Sequence, residues 1–146
     1  MGLKIFKAFW FLSVMALLAS LLFNYAGWRE ELVIQETVSE ETIIGREELF
    51  YGLIAVFALV NVLVYVIGKM FPSNEDFRAW FHGLIMTINI FFIIAMSFVG
   101  TYNSGENFDF SRIEFILYGS ILLVIGWAVA WPFYVLFQKI FLKETV

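Results

Sequence analysis

The chain has 146 residues, of which 62% are hydrophobic and 15% charged, with a formal net charge of -4 at pH 7 and no cysteine. Soluble domains run at roughly 45–50% apolar and about 25% charged residues, so this composition, with a mean hydropathy of +0.86, excludes an ordinary cytosolic enzyme and makes lipid the expected solvent. The missing thiols exclude disulfides, thiolate zinc sites, iron-sulfur clusters and a cysteine nucleophile, and the acidic balance offers no basic surface for nucleic acid.

Charged residues divide the chain into four long uncharged runs. A helix needs about 20 residues to cross the ~30 Å hydrocarbon layer of a bilayer, and each run reaches that length. The first, residues 8–28, follows Lys4 and Lys7. It is longer than a signal-peptide core and no Ala-x-Ala site follows, so it is read as a span. Asn24 near its end is expected to snorkel to the interface. The connection that follows, residues 29–48, carries seven acids. Within it Leu32, Val33 and Ile34, then Thr42, Ile43 and Ile44, flank Ser39-Glu40-Glu41, a pattern suited to a short β-hairpin. An isolated hairpin is marginal in water. Leu32, Val33, Ile34, Ile43 and Ile44 are therefore expected to pack on the mouth of the bundle or on the periplasmic part of a partner; a solvated acidic loop is the plainer alternative.

The second run, residues 49–68, contains Asn61, and the third, residues 79–103, contains His82, Thr87 and Asn89. Between them, in the connection 69–78, Ser73 and Asp76 suggest a cap for the third helix. Asn61 lies eight residues before Lys69, while Thr87 and Asn89 lie nine and eleven after Arg78. On antiparallel helices these are similar depths. The three side chains are expected either to tie helices together through hydrogen bonds or to line a polar pathway. His82 has no second His or Cys beside which to hold a metal or haem, so no cofactor is expected and an interfacial contact is the better reading.

After the connection 104–114, in which Ser111 and Glu114 form a capping-box pattern, the fourth run covers residues 115–138. Trp127 falls near mid-depth and Trp131-Pro132 follows, with Pro132 expected to kink the helix. Trp127 and Trp131 are read as contact residues, within the bundle or at a subunit interface. Small residues four apart, at Gly126 and Ala130, Gly83 and Thr87, and Ala16 and Ser20, are expected where helices approach closely.

A faint internal echo pairs Tyr51-Gly52 with Tyr118-Gly119 and Lys69-Met70-Phe71 with Lys139-Ile140-Phe141, which suggests a weak 2+2 tandem hairpin repeat. Counting Lys and Arg places six on the side of the two termini and three on the other, with ten of thirteen acids opposite the termini. Both termini are then expected in the cytoplasm, with Tyr25, Trp28, Tyr51, Tyr102 and Tyr118 in an outer aromatic belt and Trp10, Trp80 and Tyr134 in an inner one. Four spans with an enlarged first outer loop resemble the layout of claudin-like and tetraspan proteins, although the paired cysteines of such loops are missing.

The expectation is thus an all-α membrane protein, residues 1–146 forming a single four-transmembrane-helix bundle in a bacterial cytoplasmic membrane. No Asp, Glu, Lys or Arg falls within a run, and His82 is the one histidine there, which counts against proton or sodium coupling. The leading functional reading is a non-catalytic accessory or scaffolding subunit of a larger integral membrane complex, in contact with lipid and other membrane subunits. A small uncoupled channel or transporter, assembled as a homo-oligomer around Asn61, Thr87 and Asn89, is the alternative. A lipid-active enzyme using Glu75, Asp76 and His82 is a third.

Overall fold

The computed structural model describes residues 2–36, 41–105 and 110–141. Helix α1 runs Gly2–Gly27, strands β1 and β2 are Glu31–Glu36 and Glu41–Gly45, and helices α2, α3 and α4 run Arg46–Met70, Glu75–Tyr102 and Phe110–Phe141. All four helices are long and apolar enough to cross a membrane. Each starts before the uncharged run that announces it, and α2 and α4 also end after it, because a helix continues through flanking charges until a cap or a proline ends it. The turn around Ser39 and the side chain of Ser111, and with it the capping box to Glu114, lie outside the described residues and side chains.

The helix ends follow local chemistry. Glu47 and Glu48 lie in the first turn of α2 and Lys69 in its last, each sign opposing the helix dipole. Phe71 N–H closes that helix on Ile67 O at 3.0 Å, and Pro72 follows. Helix α3 starts one residue later than the sequence suggests: the cap is Asn74 rather than Ser73, because the Asn74 carboxamide oxygen reaches Phe77 N–H at 3.0 Å. Beyond α3 the chain turns at Gly105, whose φ of +74° is a left-handed value that glycine adopts without a Cβ penalty.

Helix α3 is the hub, lying against α1, α2 and α4. Cross-contacts fix the directions. Trp10 of α1 meets His82, whereas Asn24 further along α1 meets Gly100; Phe57 and Asn61 of α2 meet Phe92 and Asn89. Helix α1 is therefore parallel to α3 and α2 antiparallel to it. Helix α4 is antiparallel too, with Ile121 beside Phe92 and Trp127 over Gly83. The hairpin sits at one end of the molecule; α1 and α3 begin, and α2 and α4 end, at the other, here called the terminal end.

The hairpin end holds the apolar core. Leu17, Leu21, Trp28, Leu32, Phe57 and Met96 form one buried cluster, flanked by Tyr25, Ile44, Phe50 and Phe92 among others. Trp28, expected in an interfacial belt, is only 5% exposed; its indole lies within this cluster, where burying a large apolar surface outweighs a place at the interface. Along α1 the buried residues Ser13, Leu17 and Leu21 recur every four positions, a stripe that keeps one face against α3.

The hairpin pairs Leu32 with Ile44 and Val33 with Ile43, with an irregularity between Val33 and Gln35. Ile34 falls at that bulge, which re-aims a side chain relative to its neighbours. Leu32 is fully buried and plugs the helix cluster, so the hairpin packs on the mouth of its own helices. Val33 and Ile44 are half-buried, while Ile34 and Ile43 are exposed. Below the strands, the Tyr25 hydroxyl bonds the Glu47 carboxylate, and the Arg46 guanidinium stands 5.0 Å over the Tyr25 ring.

Candidate functional site

Three arrangements of polar side chains organise the helices. The first is a closed ring of hydrogen bonds across α1, α2 and α3. Trp10 Nε1 donates to Asn61 Oδ1 at 2.9 Å. Asn61 and Asn89 exchange reciprocal amide bonds, Nδ2 of Asn61 donating to Asn89 Oδ1 at 3.1 Å and Nδ2 of Asn89 to Asn61 Oδ1 at 3.0 Å. Asn89 also donates to Ser13 Oγ at 3.0 Å, and Ser13 returns to Trp10 O at 2.7 Å. Asn61 Nδ2 additionally reaches Phe57 O in its own helix. Asn89 is completely buried, and both its amide donors and its acceptor are satisfied.

The sequence expectation that Asn61 and Asn89 lie at one depth is met by direct contact. Thr87 does not join them. It is buried, but its hydroxyl donates to Leu84 O in the same helix, because two residues along a helix turn the side chain by about 200°. Sequence reasoning missed Trp10 and Ser13; their signal is the stripe Trp10, Ser13, Leu17, Leu21 on α1. Asn24, expected to snorkel, instead turns inward: Nδ2 donates to Ser20 O at 2.8 Å, and a Cβ on Gly100 would fall 2.9 Å from Asn24 Oδ1. Gly100 thus permits α1 and α3 to close.

The second arrangement locks α4 to α3. Trp80 Nε1 donates to Trp127 O at 2.8 Å, and Trp127 Nε1 donates to Trp80 O at 3.0 Å. The Trp127 indole packs against Gly83, where an added Cβ would stand only 2.4 Å from Cζ2. Trp131 extends the contact, with ring centroids 5.5 Å from Trp80 and 5.2 Å from Phe77. Trp127 and Trp131 are contacts within this chain, and Trp80 belongs to the same lock. Helix α4 runs on through Pro132. Gly126 and Ala130 are exposed, and nothing lies within 4 Å of a Cβ built on Gly126, so neither draws a helix of this chain closer.

The third is a clamp on the hairpin. Asn103, at the end of α3, accepts from Val33 N–H at 2.8 Å and donates to Val33 O at 3.0 Å, occupying the backbone groups that an edge strand would leave open. Replacing Asn103 with alanine removes both bonds. Amide exchange in β1 should then accelerate by about fivefold, the equivalent of ~1 kcal/mol, in hydrogen-exchange mass spectrometry; unchanged exchange would show that β1 is held by Leu32 alone.

Glu75 and Asp76 are exposed, and Asp76 and His82 line different cavities, so the arrangement does not assemble an acid–histidine pair. Among the described residues no three of His, Asp and Glu gather as a metal-ligating group. No family model, curated protein or solved structure matches this chain.

Proposed function

We propose that the chain is a multi-pass protein of a bacterial cytoplasmic membrane, with both termini in the cytoplasm, acting as a non-catalytic accessory or scaffolding subunit of a larger integral membrane complex. The orientation rests on the excess of Lys and Arg at the terminal end. One observation carries the functional reading: the polar groups within the helices bond one another. A pathway for a solute or ion requires polar groups facing it, whereas Asn61, Asn89, Ser13 and Trp10 form a closed ring with Asn89 fully buried.

The surface left for partners is extensive. Helix α4 presents Phe115, Leu122 and Phe133 outward, and Gly119 and Gly126 are notches with open space above them, where a helix of another subunit can approach closely. Ile34 and Ile43 add an exposed apolar edge on the hairpin.

Extraction from native membranes in mild detergent, followed by mass determination, tests the proposal. The chain should elute with other integral membrane proteins. Gly126→Leu should release them without lowering thermal stability, because nothing of its own chain lies within 4 Å of a Cβ there. A species containing only copies of this chain, together with solute flux lost on opening the Asn61–Asn89 pair, would support the homo-oligomeric channel and overturn the accessory role.

A further inference from the structure

A cavity of about 400 Å³ opens at the terminal end among α1, α2 and α3, lined by Lys7 and Trp10, Tyr65 and Lys69, and Arg78 and His82. Three cations supplied by three helices converge on it, and no carboxylate lines it. Among the described residues the only salt bridge is Arg46–Glu47, at the hairpin end. The cations of the cavity therefore face one another without a counter-charge, which is unfavourable unless an anion enters.

Two of the donors, Arg78 and His82, are held in place. Arg78 Nη1 bonds Pro72 O at 3.0 Å, which fixes the guanidinium, while its Nε is buried and bonds nothing. A buried N–H of this kind is rare without a partner. His82 is 3% exposed. Its Nδ1 bonds Arg78 O at 2.6 Å; a carbonyl only accepts, so Nδ1 carries the proton and Nε2 remains for other contacts. The Trp10 ring stands edge-on to the imidazole, centroids 5.7 Å apart, and walls the cavity on the α1 side.

We infer that this cavity binds the phosphate of an anionic phospholipid headgroup, with the acyl chains lying on the apolar surface beside it. Basic pockets between helices near the cytoplasmic face suit such headgroups, and arginine with two lysines matches phosphate oxygens through a fork and two point charges. A lipid is favoured over a free phosphate because the cavity adjoins side chains suited to hydrocarbon: Tyr65 is 73% exposed and Val66 and Val62 are exposed on the same helix. Three cations favour a lipid with two phosphates over one with a single phosphate. The inference rests on the chain's residence in a bilayer and is independent of any protein partner.

The test uses the purified full-length protein in mild detergent, with bound lipid counted by native mass spectrometry during titration with cardiolipin, phosphatidylglycerol and phosphatidylethanolamine. Affinity should fall in that order. Lys7→Gln with Lys69→Gln should weaken cardiolipin roughly fivefold per cation removed, and adding Arg78→Gln should weaken it further. Lys4→Gln with Lys139→Gln, which removes two cations at the same end but outside the cavity, should change it less than twofold. Equal losses in the two double variants would overturn the inference in favour of diffuse surface attraction. Competition by millimolar inorganic phosphate or glycerol phosphate as strong as that by lipid would overturn the assignment to a lipid. Lys7 and Lys69 are exposed and make no hydrogen bond that supports the fold, so the double variant remains decisive if the triple variant does not fold.

Discussion

Gly83→Ala should lower the thermal stability of the detergent-solubilised protein by about 3 kcal/mol, a large effect for one added methyl group. The new Cβ would lie 2.4, 2.7 and 2.9 Å from three atoms of the Trp127 indole. The ring is rigid, and its Nε1 is bonded to Trp80 O, so it cannot yield by a small rotation without breaking that bond. Displacing it also moves the α4 backbone whose carbonyl receives Trp80 Nε1. Overpacking of this kind typically costs about 1–3 kcal/mol, and each lost hydrogen bond about 1 kcal/mol more. Gly119→Ala supplies the comparison, since nothing lies within 4 Å of a Cβ there; it should be neutral. Trp127→Leu in the Gly83→Ala background should recover part of the loss by making room. Equal melting of the Gly83→Ala and Gly119→Ala proteins would refute the lock.

The second large effect is expected at the polar ring, where single and double substitutions should not add. Asn89→Leu removes two bonds to Asn61 and one to Ser13, leaving the Asn61 amide short of partners. Interhelical bonds in membranes average about 0.6 kcal/mol with a maximum near 1.7, so a loss of about 2 kcal/mol is expected. Asn61→Leu removes the same pair and the acceptor of Trp10 Nε1, with a loss of similar size. The double variant replaces both members of the reciprocal pair with apolar groups and leaves Ser13 bonded to Trp10 O. Its destabilisation should fall short of the sum by about 1–2 kcal/mol. Unfolding titrations in mixed micelles measure this cycle, and strict additivity would mean that the two amides do not act as a unit.

How far the sequence carries can be followed through particular residues. The four helices are legible because charges interrupt the apolar runs, and Lys69 and Arg78 serve as depth markers that bring Asn61 level with Asn89. Depth says nothing about azimuth, however, and Thr87 shares the depth of Asn89 while facing elsewhere. Helices apolar on every side give no amphipathic signal, which is why the partners of Trp10, Ser13 and Asn24 are not readable from composition. Tryptophan is equally ambiguous. Trp28, Trp80 and Trp10 have the amphipathic character of interfacial residues, yet they take part in a core, a lock and a hydrogen-bonded ring. Lys7, Lys69 and Arg78 enter the sequence argument only as counted charges. Their convergence on one cavity depends on which faces of three helices meet, and no linear spacing encodes that.

The position of α3 as hub has a consequence for biosynthesis. Helix α1 makes its main contacts with α3 rather than with α2, and α4 too leans on α3. Helices delivered one after another into lipid would leave the first two without a mate until the third arrives. The amide of Asn61 would wait through the 28 positions that separate it from Asn89, an interval on the order of seconds at ribosomal speeds. Phe57 O in the same helix and Trp10 Nε1 of α1 satisfy part of the group, and for that time water, lipid carbonyls or an insertion chaperone must stand in for Asn89.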